Sequence, residues 1–327
     1  MLPTLSLSPI RTKAMSEFNE HIPVMLEEVL SFVEPGRMTY VDLTLGRAGH
    51  ARAILDKMLP GSRFYGVDRD QDALDYSRKV LGPYQDKADL HFLKSDFKNA
   101  PQRLKESGLA GADFILMDIG VSSPQFDDPS RGFSYRYDAP LDMRMDQTQK
   151  VTARDILNTA GEKTLVHIFR DLGQCRFYFP VVRAIEKRRL EKPIETTFEF
   201  VDIIKDALPE RELRKQGHPA KQFFLGLRYQ VNGEIDQLTD GLKAACNFLL
   251  PKGRLVIISF NSEEDRIVKD TFKALVHEET GDKYHPVLDA KKSDFSLLTR
   301  KPLVPGEAEL STNNRAKASI LRAIERR

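Results

Sequence analysis

The chain has 327 residues, which is enough for two domains or for one large domain with an insertion. A hydrophobic content of 41% with 30% charged residues indicates a soluble protein with a sizeable core, and a net charge of +2 is too small to indicate nucleic-acid binding by itself. Two cysteines without a CxxC pair exclude a disulfide framework and argue against zinc, although one disulfide stays open. No apolar run reaches the roughly 18 residues of a membrane helix, so we expect a cytoplasmic protein with no metal and no membrane contact.

The first residues contain one basic pair but no long apolar region, which is a poor match to a signal peptide. We therefore expect residues 1–19 to be a flexible tail, with Met15 as an alternative start. From residue 20 the pattern changes. Apolar residues in HIPVMLEEVLSFV recur with the helical period and predict a first helix.

Four predicted strands then alternate with helices. The strands are MTYVDLTLG, RFYGVDRD, DLHFLKSDF and ADFILMDIG, and helical patterns follow the first three in ARAILDKML, QDALDYSRKVL and QRLKESG. The fourth strand is uniformly apolar, which is typical of burial on both faces. This alternation predicts parallel βαβ units in a doubly wound, Rossmann-like sheet, and hence an α/β fold.

After the fourth strand the alternation stops, and helical patterns run from Met143 to Lys221. TARDIL and TTFEF each begin with a threonine followed three residues later by an acid, as in a capping box. The βα rhythm returns in NGEIDQLTDGLKAACNFLLPKG, GRLVIISF and the closing segments FSLLTRKPLV and ASILRAIER. We predict a discontinuous domain of residues 20–142 and 222–327, interrupted by an all-helical insertion of residues 143–221.

The first strand ends in a glycine-containing loop, VDLTLGRAGH, directly before a helix. Ligands of open parallel sheets sit at the carboxyl ends of the strands, where small residues let the backbone approach and a helix N-terminus offers free N–H groups. At the end of the second strand, Asp68 can accept hydrogen bonds from both hydroxyls of a ribose. At the end of the third, Asp96 or Phe97 can contact an adenine. The alternative is that the glycines serve only a tight turn.

The glycine spacing separates two cofactor classes. A dinucleotide carries a pyrophosphate and favours G-x-G-x-x-G, whereas residues 44–49 read T-L-G-R-A-G. S-adenosylmethionine has no phosphate and needs close packing with groups for its amino-acid end. The pattern therefore favours a methyltransferase over a nicotinamide dehydrogenase, for which we can place no His, Tyr or Lys set suited to hydride chemistry.

The fourth strand ends in DIGVSSPQFD and continues through RGFSYRYDAPLDMRMD without a helical or alternating pattern. In class I methyltransferases the methyl acceptor approaches at this strand end. An exocyclic amine is a poor nucleophile because its lone pair is delocalised into the ring. An enzyme therefore gains by accepting a hydrogen bond from the amine and aligning it with the methyl group. The loop supplies an acid, hydroxyls, a proline and an amide for this role.

The segments HIPVMLEEVL, VDLTLGRAGH, DIGVSSPQFD, RGFSYRYDAPLDMRMD and ISFNSEEDRIVK, taken together, resemble the MraW family of bacterial 16S rRNA cytosine-N4 methyltransferases. They stand in the family's order, and the resemblance spans roughly residues 21–325. It implies a class I S-adenosylmethionine-dependent fold with an inserted helical domain that recognises RNA. It also implies S-adenosylmethionine as the cofactor and a decoding-centre cytidine of 16S rRNA, within the 30S subunit, as the target. A homodimer stays open.

The resemblance assigns residues to two roles. The cofactor contacts that it implies are Ala48, Gly49, His50, Asp68, Phe97, Asp118 and Gln125. Of these, His50 and Gln125 come from the resemblance alone. The candidates for handling the target amine are hypotheses: Ser122, Asp142, Asp146 and Asn232. For the two acids among them, the alternative is a structural cap.

The chain also departs from the family pattern. SFNSEEDR has Asn261 where the family has a histidine, and LGQCR has lost both acids of a family Y-G-E-E-R segment. The changes lie in the insertion and towards the C-terminus, so methyl transfer is better supported than the target. Two alternatives follow: a methyltransferase for another RNA cytidine, and a cofactor-binding RNA-binding or assembly protein whose catalysis has decayed.

Basic residues cluster in the insertion, where phosphate contacts would provide affinity without sequence information. The cluster in RAIEKRRLEK comprises Arg183, Lys187, Arg188, Arg189 and Lys192. The alternative is a solvated helix face with acidic partners. Alternating aromatics in the irregular loop, Phe133, Tyr135 and Tyr137, suit stacking on an extruded base or simply hold the loop in place.

Overall fold

A computed structural model describes residues 23–36, 38–277 and 292–327. The predicted tail and Met15 lie outside these ranges. The strands of the sheet are β1 (Thr39–Asp42), β2 (Ser62–Asp68), β3 (Ala88–Lys94), β4 (Ala112–Asp118), β5 (Leu249–Ser259), β6 (Phe295–Leu297) and β7 (Ile320–Arg326).

The helices that surround the sheet are α1 (Leu26–Ser31), α2 (Gly49–Lys57), α3 (Gln71–Leu81), α4 (Ala100–Glu106), α5 (Ser123–Asp127), α12 (Glu234–Phe248), α13 (Ser262–Val276) and α14 (Glu307–Thr312). Those between α5 and α12 are α6 (Ala153–Thr159), α7 (Glu162–Val166), α8 (Tyr178–Glu191), α9 (Thr197–Ala207), α10 (Glu210–Leu213) and α11 (Lys221–Asn232). A π-helix continues α7 over His167–Leu172. Short 3-10 turns cover Gly82–Tyr84, Pro129–Arg131 and Asn314–Ala318.

The sheet has the order β3-β2-β1-β4-β5-β7-β6. The first five strands in this order pair in parallel, and β7 runs antiparallel to both of its neighbours. The doubly wound sheet is therefore as predicted, and both closing segments contribute a strand. Because five parallel strands end at one edge, the loops after β1, β2, β4 and β5 meet there.

Strand β4 shows how the sheet is buried on both faces. Phe114 and Leu116 pack with α1, α2 and α3, whereas Ile115 and Met117 pack with α4, α12 and α13. All four side chains are fully buried. The uniformly apolar sequence of this strand is explained by helices on both sides.

The helical region has a hydrophobic core of its own, in which Phe133, Leu141 and Val231 are buried together with side chains of α6 to α9. Its core thus extends beyond the predicted bounds of 143–221 and includes helix α11. Both predicted capping boxes are confirmed, at Thr152 with Asp155 and at Thr196 with Glu199. The two cysteines, Cys175 and Cys246, are buried free thiols.

Candidate active site

A cleft of about 730 Å³ lies at the carboxyl ends of β1, β2, β4 and β5 and reaches across to α11. The glycine loop after β1 forms one end of it. Gly46 and Ala48 both have left-handed backbone conformations, with φ of 50° and 59°. A Cβ at Gly49 would lie 2.6 Å from Pro23 Cγ, so this position requires glycine. Helix α2 then begins without a side-chain cap, which leaves its first N–H groups to the cleft.

Asp68 lies at the end of β2 and is fixed by the backbone. Its carboxylate accepts hydrogen bonds from Gly46 N at 2.8 Å and from Asp70 N at 2.9 Å. Burial raises the pKa of Asp68 to about 6, against the effect of these hydrogen bonds. A carboxylate has about four acceptor positions, so these hydrogen bonds leave room for a ligand to donate to Asp68.

Asp118, at the end of β4, has an incomplete set of partners. Its Oδ1 is buried and has no hydrogen-bond partner in the structure. Its Oδ2 lies 3.8 Å from His50 Nδ1, while His50 Nε2 lies 2.9 Å from Val24 O. Burial, together with the charges of Asp42 and Glu264, raises the pKa of Asp118 to about 8. A buried acceptor without a donor is rare in native proteins and indicates a site for a ligand that supplies one.

Gln125 joins the loop after β4 to the loop after β2. Its Oε1 accepts a hydrogen bond from Ser122 N at 3.1 Å, and its Nε2 donates to Asp70 Oδ2 at 2.8 Å. Arg131 also donates to Asp70 Oδ2, at 3.1 Å. Asp70 caps α3 through Asp72 N, as its position before the helix predicts. Gln125 therefore holds the shape of the cleft wall as well as lining it.

The cleft brings together most of the residues predicted to contact the cofactor. Those that line it are Gly49, His50, Asp68, Phe97, Asp118 and Gln125. Ala48 does not, since it is fully buried one residue before α2. Ser122 lines the cleft too, so it is the one predicted acceptor-side residue that lies beside the predicted cofactor contacts.

The other three predicted acceptor-side residues lie outside this cleft and have structural partners. Asp142 forms a two-pronged ion pair with Arg144, at 2.8 and 2.7 Å. Asp146 accepts hydrogen bonds from Lys94 Nζ at 2.9 Å and from Thr148 Oγ1 at 2.8 Å. The carboxylates of Asp142 and Asp146 therefore stabilise an irregular segment, as in the structural alternative that the sequence left open for them.

Asn232 is 2% exposed, and its amide is used entirely by the backbone. Its Oδ1 accepts from Met145 N at 2.9 Å, and its Nδ2 donates to Met143 O and Arg228 O at 2.8 and 3.0 Å. It ties the irregular loop to the end of α11. The geometry therefore gives it a positioning role in the fold rather than a place at the methyl acceptor.

Residues after β5 form a wall of the cleft that was absent from the predicted site. Glu264 is 4% exposed and accepts hydrogen bonds from Tyr229 Oη at 2.7 Å and Phe260 N at 2.8 Å. Asn261 also lines this wall and caps α13 through Glu263 N and Glu264 N. An acid one turn after a buried strand was the available signal, in SFNSEEDR, but sequence alone did not show that α11 closes over it.

Comparisons with known proteins identify the family of this chain. The model of the MraW methylase family matches residues 18–327. The chain belongs to the MraW methylase family. Ribosomal RNA small subunit methyltransferase H of Lactiplantibacillus plantarum is 44% identical over 310 residues, covering 94% of this chain and 97% of that protein. The protein of the same name from Limosilactobacillus fermentum is 42% identical over 315 residues, covering 95% and 99%.

A solved rRNA methylase from Streptococcus thermophilus is similar at a TM-score of 0.41 and 9% identity, over 92% of this chain and 94% of that one. Membership of the MraW family confirms the predicted class I methyltransferase fold and S-adenosylmethionine as the cofactor. The site fits this cofactor. The unpartnered Asp118 Oδ1 can accept a hydrogen bond from the ammonium group of its amino-acid end. The start of α2, which has no side-chain cap, suits the carboxylate of the same end. In the described ranges, no helix is long and apolar enough to cross a membrane, and no group of three or more His, Cys, Asp or Glu could hold a metal ion.

Proposed function

We propose that this protein transfers a methyl group from S-adenosylmethionine to the exocyclic N4 amine of a decoding-centre cytidine in 16S rRNA, within the 30S subunit. The observation that carries the proposal is the unpartnered Asp118 Oδ1 in a cleft that also has Ser122 on its wall. The names of both relatives, which specify small-subunit ribosomal RNA, support the choice of RNA. The motif resemblance supports the cytosine amine.

S-adenosylmethionine, the methyl donor, would occupy the half of the cleft formed by the loops after β1, β2 and β3, which we call the donor half. Asp68 would accept hydrogen bonds from the ribose hydroxyls, and Phe97 would contact the adenine. Asp118 would accept a hydrogen bond from the ammonium group, with His50 beside it. When bound, S-adenosylmethionine supplies an electrophilic methyl group on a positively charged sulfur. A cationic ligand would favour the ionised form of the carboxyls around this half of the cleft, whose pKa values burial raises, and would therefore bind better than a neutral ligand.

The acceptor would enter from the side of α11 and the loop after β4. Ser122 N donates a hydrogen bond to Gln125 Oε1, which fixes the hydroxyl-bearing turn after β4. Tyr135 lines the cleft and stacks on His218, with ring centroids 4.3 Å apart. One face of Tyr135 is thus used to hold the loop. This rigid wall would keep an extruded base aligned with the methyl group.

An arginine–aromatic surface on the insertion is the best candidate for binding flanking RNA. Arg176 and Arg211 both lie over the ring of Phe177, at 5.4 and 5.9 Å, and Arg183 lies over Phe179 at 4.9 Å. We call these five residues the arginine–aromatic surface. Gln174, two residues before Arg176, donates to Glu263 Oε2 at 2.8 Å, and Glu263 is the neighbour in sequence of Glu264 on the cleft wall. Stacked aromatics with nearby arginines suit single-stranded RNA.

Part of the basic cluster predicted on α8 is paired with other groups of the protein. Arg189 donates to Leu157 O and Ala160 O, and Lys192 pairs with Glu199 at 2.6 Å. Arg183 is exposed and belongs to the arginine–aromatic surface. Lys187, one turn after Arg183 on α8, is exposed as well, so the charge available for RNA lies along this face of the helix.

The test supplies methyl-labelled S-adenosylmethionine to the purified protein with 30S subunits and, separately, with naked 16S rRNA. Mass spectrometry of the digested RNA then maps the modified nucleoside. We expect N4-methylcytidine at a decoding-centre position. Labelling of a different cytidine would contradict the target, and tight cofactor binding without transfer to either RNA would favour a cofactor-binding protein without catalysis.

Variants separate the RNA surface from the donor site. We expect Phe177→Ala combined with Phe179→Ala to weaken RNA binding by about tenfold or more at fixed salt, because each lost stacking contact is worth about 1–3 kcal/mol. Binding of S-adenosylmethionine should not change. The control is Phe198→Ala on α9, since Phe198 is as exposed as Phe179, at 42% and 41%. Equal RNA affinity in the double variant and the control would remove the surface from the proposal.

A further inference from the structure

A buried hydrogen-bonded chain of side chains lies on the β5 side of the cleft. Asn261 Nδ2 donates to Tyr229 Oη at 2.7 Å, and Tyr229 donates in turn to Glu264 Oε1 at 2.7 Å. Phe260 N donates to Glu264 Oε2 at 2.8 Å. Every one of these bonds points towards Glu264. The carboxylate is therefore held as an acceptor in one orientation.

This chain of bonds lies next to the donor half of the cleft. Strands β4 and β5 are neighbours, with Asp118 paired to Ile258, and the residues that follow, Gly120 and Phe260, are in close approach. Asp118 and Glu264 both line the cleft, and the negative charge of one acts on the other. The space between the ends of these two strands is where the donor half and the acceptor half of the cleft meet.

The surroundings of Glu264 suit a group that takes up a proton. Burial raises the pKa of its carboxyl, while the Arg228 guanidinium and the hydrogen bonds from Phe260 and Tyr229 act in the opposite direction. Arg228 lies 3.9 Å from Glu264 but is itself paired with Glu234 at 2.8 Å. Arg228 therefore neutralises Glu234 more fully than it neutralises Glu264. A base of raised pKa in a closed site is well matched to accepting a proton at neutral pH.

We propose that Glu264 is the catalytic residue that receives the target amine, accepting a hydrogen bond from its N–H and then its proton. This inference rests on the proposed function. The amine lone pair forms the new N–C bond to the methyl group as the S–C bond breaks, and that electron pair goes to sulfur. The proton that the nitrogen loses passes to the Glu264 carboxylate and then to solvent.

The same role fits the other acids less well. Asp142 and Asp146 are paired outside the cleft, and Asp118 faces the donor. Tyr229 is a positioning residue, since its hydroxyl fixes the direction in which Glu264 accepts. Asn261, which stands where the resembled family has histidine, keeps the chain of bonds intact through its amide.

The experiment measures single-turnover methyl transfer by the full-length protein to the small-subunit rRNA substrate that the unmodified chain labels, with donor and RNA saturating. We expect Glu264→Gln to lower the transfer rate about 100-fold, because a positioned acid–base group contributes at least that factor. Tyr229→Phe should lower it about tenfold, as expected for the loss of one orienting hydrogen bond. Calorimetry should give both variants an unchanged Kd for S-adenosylmethionine.

The matched control is Glu325→Gln on β7. Glu325 is partly buried, with a side chain that is 16% exposed, and pairs with an arginine, Arg254, at 3.0 Å, but it does not line the cleft. We expect it to keep the full transfer rate. This variant separates the loss of a buried charge from the loss of the proposed acceptor.

Two results would overturn the inference: transfer at the unmodified rate in Glu264→Gln, or a loss of donor binding as large as the loss of rate. If Glu264→Gln does not fold, Tyr229→Phe decides, and an unchanged rate there is equally decisive. Should the unmodified chain label no cytosine N4, the proposed function fails and the inference fails with it. Should that chain and Glu264→Gln label N4 equally, only the inference fails.

Discussion

The two halves of the cleft differ in how their polar groups are partnered. In the donor half, Asp118 has a buried oxygen without a partner, and Asp68 has acceptor positions to spare. In the acceptor half, each oxygen of Glu264 accepts one hydrogen bond from the protein. Outside the cleft, the side chain of Asn232 is hydrogen-bonded on both polar atoms. A deficit of partners indicates where a ligand completes the structure. One hydrogen bond on each oxygen fixes the orientation of the Glu264 carboxylate and leaves acceptor positions for a substrate.

The largest effect should come from Asn232, which lies outside the cleft and joins the irregular loop to the end of α11. Asn232→Ala removes three hydrogen bonds of a buried amide and leaves backbone groups of Met143 and Met145 without that partner. We expect the free energy of unfolding to fall by about 3 kcal/mol. Urea denaturation measures it. Asp142→Ala should cost about 1 kcal/mol or less, because its ion pair with Arg144 is partly exposed.

If Asn232→Ala were as stable as the unmodified chain but methylated no RNA, the amide would act at the methyl acceptor after all. That outcome would break the contrast between the two halves. The variant should be assayed at a temperature where it is fully folded, with the Kd for S-adenosylmethionine measured alongside.

The next effect concerns the donor half. Asp118→Asn keeps the shape but removes the charge, so we expect the affinity for S-adenosylmethionine to fall roughly 10- to 100-fold, as for a charge-assisted hydrogen bond. Isothermal titration calorimetry checks this. Asp113→Asn is the matched control, since Asp113 lies at the other end of β4 and accepts from Thr39 N. Equal affinities of the two variants for S-adenosylmethionine would show that the unpartnered oxygen of Asp118 does not bind it.

Burial also makes the stability of the unliganded protein depend on pH. It raises the pKa of Asp118 to about 8, of Asp42 to about 7 and of Asp68 to about 6. Because the folded state holds these protons more tightly than the unfolded state, their contribution is full below pH 4 and is lost as pH rises through 6 to 8. Each group contributes a slope of about 1.4 kcal/mol per pH unit while it is protonated only in the folded state.

Denaturation at several pH values between 5.5 and 8.5 tests this dependence. The unliganded protein should become less stable as pH rises, and Asp118→Asn should show a shallower slope. Saturating S-adenosylmethionine should flatten the slope of the unmodified chain, because a cationic ligand stabilises the ionised carboxylates. Parallel slopes in all three samples would contradict the raised pKa values of the carboxyls in this half.

The smallest effect should be a gain at Ala48. Its φ of 59° is unfavourable for any residue with a Cβ, so Ala48→Gly should raise stability by about 1 kcal/mol or less. Gly49→Ala should do the opposite, since its Cβ would lie 2.6 Å from Pro23 Cγ. Thermal unfolding of the pair measures both. A loss of stability in Ala48→Gly would show that the methyl group of Ala48 contributes more to packing than the strain removes.

The sequence predicted the site best where a functional residue lies at the end of a strand. The parallel sheet, the capping boxes and the positions of Asp68 and Asp118 all follow from local patterns, because a strand and the loop after it are continuous in the chain. The acceptor half is assembled from segments far apart. Asp142 and Asp146 were chosen for their chemistry, but only the fold shows that Arg144 and Lys94 are their partners.

The same limitation explains why Glu264 was missed. Its importance depends on α11 closing over the end of β5, and Tyr229 meets Glu264 through a contact that local periodicity does not reveal. The boundary of the insertion shows a similar effect, since α11 packs in the helical core although its sequence follows the predicted boundary.

The pairing of β4 with β5 has a consequence for how the protein folds. Strands β1 to β4 are joined by short connections, whereas Ile258 reaches Asp118 only after the whole insertion has been synthesised. Contacts between distant segments form slowly, because the loop between them must be ordered first. We therefore expect the cleft to be completed late, after the insertion has folded. A donor present at that stage would bind only finished molecules and would draw the last folding step to completion.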